Sequence, residues 1–478
     1  MNAKKKVVLF ILGGGAVALV LAVVIFAITF NINSYRPRIE AAASGATGLE
    51  VRINGKMGLS FFPFGVSAKD IHIANKGGEI LSLENLKLGA ELMPLLKKQL
   101  KVTSCELVKP VVTIVKDADG KYNFESAEKK STEVQPGASF SLKEFKLSKG
   151  TLVYLDKKTG EKTEFKDFNL AIKDLSVADT SGKIIKNIAF TGNMDCKEVR
   201  KRDLKIDNIK SPIKAEKGVI YLMSLTMDIF GSKGEGDVTA DKSGVDAVYK
   251  INLKISKLDF EKLQESFGTK KVIGGKGDLY ASLTMKEKGT RNLMSGLDGT
   301  FSLRGDNLVI YTMDLDKVLS SYETSQKFNL VDLGAFFIAG PLSTVALKGY
   351  RYGDVYAQTR GGQGAIIQFI SHWKIRDGVA DATDCALATR HNRVALKGKL
   401  DLVSERYDNV IVALLDDKGC VKFKQSISGP FGSPQIGAVS AVESLAGPIS
   451  HLYRKAKRFI LGGKCEVFYN GAVRQPPK

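Results

Sequence analysis

The chain has 478 residues, with 71 Lys and Arg against 51 Asp and Glu, a formal net charge of +20 at pH 7, and 44% hydrophobic residues. That balance supplies enough apolar side chain for a sizeable folded body and excludes wholesale disorder, and the length alone suggests about three compact domains. The excess of positive charge suits an anionic partner, either nucleic acid or phospholipid headgroups, or simply a solvated surface.

The elements begin with Lys4, Lys5 and Lys6, which precede an uncharged run from Val7 to Phe30. An apolar helix of about 20 residues spans the hydrocarbon core of a bilayer, and the run outlasts the ~7–15 residues of a signal-peptide core. Residues 1–6 therefore read as a cytoplasmic tail and 7–30 as a single transmembrane helix. The lysines stay inside by the positive-inside rule, which Arg36 and Arg38 weaken without reversing. Cleavage after Ala41-Ala42-Ala43 is the minor alternative. Gly14 and Ala18 fit a small-xxx-small helix contact, a pattern common by chance in such runs. The next apolar stretch, Leu333 to Leu342, contains Gly340-Pro341 and is too short for a second span.

After the anchor, residues 31–127 read as one module and 128–138, with Pro136-Gly137, as a loop or hinge; 139–435 reads as repeating β structure and 436–478 as a C-terminal helix and tail. Phe168, Leu170 and Ile172 alternate with polar or small residues. So do Ile251, Leu253 and Ile255, then Leu279, Ala281, Leu283 and Met285, then Val394, Leu396, Leu400 and Leu402. A period of two places the apolar members on one face of an antiparallel sheet and the others toward water. Turns ending in Gly120, Gly160, Gly289 and Gly419 punctuate the strands. Helices are expected over Glu91–Leu100, Asp314–Gln326, Gly364–His372 and Ala441–Ile460. The last carries an apolar stripe from Val442 to Phe459 and a basic second half with Arg454, Lys455, Lys457 and Arg458, which suits a membrane surface or a cap on the last strands.

Signatures of chemistry are missing from the sequence: no HExxH, phosphate loop, nucleophile elbow or dinucleotide fingerprint occurs, and Gly361-Gly-Gln-Gly364 lacks the Lys-Ser/Thr of a phosphate loop. The five cysteines, at 105, 196, 385, 420 and 465, form no Cys-x-x-Cys pair, so neither a zinc site nor a dense disulfide framework is expected. One or two disulfides fit if the compartment oxidises. Histidines 72, 372, 391 and 451 are equally scattered. The reading is a non-enzyme without cofactor or metal, and without a nucleic-acid partner.

The order of short motifs resembles the N-terminal region of AsmA-family envelope proteins, itself similar to the chorein-type lipid-transfer module. The motifs are Tyr35-Arg36-Pro37, Ala46-Thr47-Gly48, Phe61-Phe62-Pro63, Leu81-Ser82-Leu83, Met93-Pro94-Leu95-Leu96, Lys109-Pro110-Val111-Val112 and Asp119-Gly120-Lys121-Tyr122-Asn123-Phe124. Similar segments follow at Lys149–Gly160, at Gly296–Leu315 with its G-x-F-x-L strand, at Asp377–Leu402 and at Ile427–Pro434. The resemblance implies a mainly β fold, an elongated curved antiparallel β-groove with few short helices behind one transmembrane helix. It also implies a single-pass inner-membrane protein whose bulk lies in the periplasm, and a role in moving phospholipid between the inner and outer membranes, with an outer-membrane or envelope partner at the far end. Periodicity alone does not separate a groove from a sandwich; the resemblance favours the groove. The lipid-facing set is then Phe168, Leu170, Ile172, Ile251, Leu253, Ile255, Leu279, Leu283, Leu396 and Leu400, with Arg454, Lys455, Lys457 and Arg458 at a membrane surface. The competing readings are an assembly factor for envelope proteins that carries no lipid, and an anchored enzyme acting on glycans or lipids.

Overall fold

The computed structural model describes residues 32–61, 64–75, 78–91, 101–125, 140–178, 184–266, 271, 273–287, 293–311, 314–319, 330, 337, 362–438, 440–441, 465 and 467–476. The expected transmembrane run, the 128–138 loop, most of Glu91–Leu100 and all of the C-terminal helix beyond Ala441 lie outside them. Among the described residues no helix is long and apolar enough to cross a membrane. The protein is mainly β and divides into two compact units, residues 1–202 and 203–478.

The first unit opens with a 3-10 turn, Ile32–Tyr35, and helix α1, Arg36–Thr47. Pro37 sits where a missing N–H costs nothing, and Gly48, at φ 69°, closes the helix by donating its N–H to Ser44 O. The strands are β1 Glu50–Ile53, β2 Met57–Phe61, β3 Phe64–Asn75, β4 Gly78–Ala90, β5 Val102–Val108, β6 Val111–Lys116, β7 Phe140–Asp156, β8 Glu161–Val177 and β9 Ile188–Lys201. β1 and β2 both pair with β3, and the sheet continues through β4.

Helix α1 covers the other side of β1 and β2 in an unusual way. Asn33, Arg36, Glu40 and Ser44, spaced three and four apart, lie on one side of the helix and its leading turn. Glu40 Oε1 accepts the Ile53 N–H at 2.6 Å and Ser44 Oγ the Val51 N–H at 2.9 Å. Arg36 donates to Gly55 O at 2.7 Å, and Asn33 takes the Met57 N–H at 2.9 Å while donating to Met57 O at 3.0 Å. The odd-numbered residues from Val51 to Met57 thus find side chains where a neighbouring strand would otherwise stand. An unmet backbone group costs about 1–3 kcal/mol when buried, and an open edge invites pairing with another chain.

β5 and β6 occupy one strand position, interrupted at Lys109-Pro110, where Lys109 adopts φ 48°. Both run antiparallel to β4 and parallel to β7. The expectation of an antiparallel sheet throughout is corrected here. A parallel neighbour needs a crossover of about a dozen residues or more, and the stretch between Lys116 and Phe140 provides it. β8 and β9 then add antiparallel.

On the β3–β4 hairpin, His72 Nε2 bonds Asp70 at 2.9 Å and Nδ1 bonds Glu79. The bonds to Glu79 and then Asp70 raise the His72 pKa from its ordinary 6.5. The stabilisation is fully present below pH 6.5 and fades as pH rises through the raised value. Histidine hydrogen–deuterium exchange followed by mass spectrometry is expected to place the His72 midpoint above 6.5 and to move it down in Glu79→Gln. A parent midpoint at or below 6.5 would show that the pair does not form in solution.

The second unit is a meander. Its strands are β10 Leu204–Glu216, β11 Val219–Ile229, β12 Ser232–Asp241, β13 Val248–Asp259, β14 Ile273–Gly274, β15 Lys276–Lys286, β16 Leu297–Ile310, β17 Gly364–Arg376, β18 Val379–Ala388, β19 Arg393–Asp401, β20 Arg406–Leu415, β21 Val421–Pro430, β22 Gln435–Ile436 and β23 Ser440–Ala441. From β10 to β13 and from β15 to β21 each strand pairs antiparallel with its predecessor, and β15 follows β13. The short helix α2, Phe260–Glu265, is capped by Asp259, whose carboxylate accepts the N–H groups of Glu261 and Lys262.

Gly364–His372, expected to be helical, belongs to strand β17. Ile366 and Phe369 pack into one core and Ile370 into another on the opposite face. A strand apolar on both faces loses its period of two, and its residue spacing then mimics a helix. Of Asp314–Gln326, the described residues 315–319 are helical.

Bulges recur with one chemistry. Lys149, Ser224 and Lys257 each adopt φ near +50° at a register shift. Their N–H groups are taken by a carboxylate or amide oxygen on the next strand: Asn169 at 2.8 Å, Asp237 at 2.9 Å and Asp278 at 2.9 Å. Asp377, in the β17–β18 turn, is held likewise by Asp298 at 2.9 Å. The side-chain oxygen replaces the ladder partner that the bulge removes, while the bulge adds twist.

Candidate functional site: an apolar face in each unit

Residues paired directly across antiparallel strands share a face, so the register places each candidate. In the second unit one row runs Ile255, Leu279, Leu303, Ser371, Cys385, Leu396 and Val412. A second runs Val238, Ile251, Leu283, Gly299, Ile375, Ala380, Leu400 and Tyr407. Between them lie Gly236, Leu253, Ala281, Phe301 and Trp373. All seven sequence-derived candidates of this unit therefore sit on one face. Their surroundings differ: Ile251, Leu253 and Leu283 are half-buried, whereas Ile255, Leu279, Leu396 and Leu400 are buried.

In the first unit Ala68, Leu86, Leu107, Leu147, Leu170 and Met194 form a cross-strand row. Ile172 stands opposite Phe145, and Phe168 opposite Cys196. Phe168 and Leu170 are half-buried and Ile172 is buried. Each unit thus carries a band of apolar side chains across consecutive strands. Arg454, Lys455, Lys457 and Arg458 lie outside the described residues.

The opposite face of the second unit carries a shallow, open depression lined by Asn252, Lys254, Tyr280, Ser282, Ser302 and His372 among others. Its charges are already engaged: Lys254 pairs with Glu235 at 3.1 Å, and Asp237 holds the Ser224 N–H. It is the solvated side of the alternation.

Farther along, that second face is covered as well. The segment 465–476 crosses it, placing Tyr469 and Val473 among Ile370, Ala386, Ala388, Ala395 and Ala413. This explains why Ala395, expected to face water, is fully buried. Asp384 accepts the Tyr469 hydroxyl and the Ala472 N–H, and the Tyr469 oxygen accepts the Val473 N–H at 3.0 Å. Burial and then Asp384 hold the Tyr469 phenol well above its ordinary value, so it stays a donor at physiological pH. Arg393 stacks on the Tyr469 ring and donates to Val473 O.

Cys420 and Cys465 form a disulfide, which fastens this strap at its start. The Asp416 carboxylate lies within 4.8 Å of both sulfurs, but joined sulfurs offer no thiolate to a metal. Of the free cysteines, burial pushes the Cys385 thiol up to about 12, which leaves it unreactive.

Sequence reasoning missed Phe301, Trp373, Phe145, Leu147 and Met194 as members of these faces. Phe301 was within reach, being the aromatic of the G-x-F-x-L strand. Leu315, Leu319, Leu330 and Phe337, which cover part of the second-unit face, carried no strand signal.

The fold and its faces define a class: long runs of antiparallel strands with one apolar side. The sequence profile of the AsmA family matches residues 1–200 and 183–385. The chain belongs to the AsmA family. No individually curated protein and no solved structure gives a significant match.

Proposed function

We propose that this protein is anchored in the inner membrane by residues 7–30, with its bulk in the periplasm. There it holds phospholipid acyl chains on its apolar sheet faces and helps move lipid between the inner and outer membranes. Family membership supports an envelope role. The observation that carries the lipid reading is the half-exposed apolar rows, Leu86–Leu107–Leu147–Leu170 in one unit and Ile251–Leu283 beside Leu253–Ala281 in the other. Burial of methylene groups contributes about 0.8 kcal/mol each, and the contacts are non-directional, so a chain can be held firmly and still slide. The polar face accounts for a charged sequence built around an apolar ligand.

The test is site-specific photo-crosslinking in cells. A probe at 251 or 253 is expected to capture phospholipid at least tenfold more than one at 252 or 254. Equal capture on both parities, or none at the odd positions, would favour the assembly-factor reading, in which the apolar face serves a protein partner.

A further inference from the structure

We propose that Leu315, Leu319, Leu330 and Phe337, in the connection between β16 and β17, form an end stop: in the second unit they confine acyl chains to β10–β16 and keep β17–β21 as a permanently dry core. This rests on the lipid reading and fixes where on the face the lipid lies.

The apolar face is continuous in register but not in exposure. Along one row, Ile251 and Leu283 are half-buried, while Leu400 and Tyr407 are 6% and 2% exposed. In the row between, Leu253, Ala281 and Phe301 are half-buried, and Trp373 is 4% exposed. The change falls where the described residues of the connection pack down. Leu315, Leu319, Leu330 and Phe337 are all fully buried in the same cluster as Leu396, Val412 and Leu414.

Two polar devices hold this cover. Ser371 interrupts an otherwise apolar row, between Leu303 and Cys385. A hydroxyl there would be a liability against acyl chains. Its use is to bind the connection: Ser371 Oγ donates to Phe337 O at 2.7 Å and accepts the Trp373 Nε1–H at 2.7 Å. The Phe337 ring stacks on Phe369 at 5.8 Å.

The second device is Asp316, beside Leu315. Its carboxylate accepts Thr389 Oγ1–H, the Arg390 N–H at 3.2 Å, the His391 N–H at 3.3 Å and Asn392 Nδ2–H at 2.8 Å. One carboxylate therefore pins the connection to the whole β18–β19 turn. A buried serine and a fully used carboxylate, both spent on the connection, mark a fixed part of the core. At the strand ends of the open half, α2 places Phe260 and Leu263 in the cluster, closing the face there too.

The experiment needs no substitution. Full-length protein is produced in cells supplied with photo-leucine, a diazirine of leucine's size, and irradiated; adducts are mapped by mass spectrometry. Lipid adducts are expected at Leu253 and Leu283, and at least tenfold fewer at Leu396 and Leu414. Lipid adducts at Leu396 and Leu414 equal to those at Leu253 would overturn the end stop and leave the lipid reading standing. Lipid adducts at none of the four would overturn the lipid reading, and the end stop with it.

Discussion

Leu396→Asp is expected to destabilise the second unit by about 5–7 kcal/mol, more than any other substitution described here. The site is 1% exposed and sits between Cys385 and Val412 on the covered part of the apolar face. The variant forfeits about 2 kcal/mol of side-chain burial and places an acid where no partner awaits it; an uncompensated buried charge costs about 3–5 kcal/mol. A typical domain is stable by only about 5–15 kcal/mol. The chain provides its own reporter, because its single tryptophan is Trp373, 4% exposed and hydrogen-bonded to Ser371 on that same face. In denaturant titrations of the full chain followed by tryptophan fluorescence, the midpoint should fall steeply or the emission should be red-shifted from the start. Leu253→Asp, at a half-buried position, should cost less than about 2 kcal/mol. A Leu396→Asp midpoint no lower than that of Leu253→Asp would refute the dry core.

Loss of the Cys420–Cys465 bond is expected to have the second-largest effect. The two cysteines are 45 residues apart. Closing a loop of that size removes chain entropy worth about 4 kcal/mol from the unfolded state in the simplest treatment, and native disulfides typically contribute about 2–4 kcal/mol. The segment that follows Cys465 is also held by Asp384, Arg393 and Gln368, the last accepting the Arg474 N–H at 3.2 Å. Cys465→Ser should therefore lower the denaturation midpoint and speed proteolysis near Tyr469. Asp384→Asn, which keeps the disulfide, should produce a smaller loss of about 1–2 kcal/mol. A reduced or Cys465→Ser protein with the parent midpoint and parent protease resistance would show that the strap adds nothing to the fold.

The repeating strands were legible because most are apolar on one face, and the period of two then survives in the sequence, as at Ile251–Ile255 and Leu279–Met285. It failed where a second layer covers the other face. Phe369 and Ile370 pack on opposite sides of β17, and the adjacent apolar pair erased the strand signal. Bulges hid phase as well: Ile255 and Leu258 are both buried although three residues apart, because Lys257 takes the extra place. The parallel placement of β7 depends on a crossover whose return point no local pattern specifies. As for the candidate site, the common face was readable from parity. Its division into open and covered parts was not, because the cover comes from Leu315, Leu319, Leu330 and Phe337, far from the strands in sequence. The Cys420–Cys465 pairing was likewise invisible, since irregular spacing carries no connectivity.

The meander of the second unit also bears on the order in which the chain can assemble. From β15 to β21 every strand takes its hydrogen bonds from the one just before it. Most pairings are therefore settled by segments already emerged, with little waiting for distant partners, a topology that favours fast assembly. The β16–β17 junction is the long delay, because Asp316 and Phe337 within it bond to the β18–β19 turn and to β17, which do not yet exist. Until then a half-made sheet shows one unpaired edge rather than many, which limits the sticky surface a growing chain exposes. The first unit behaves differently: α1 has already closed one side of β1 and β2 with its own side chains, so growth there proceeds in one direction from the start.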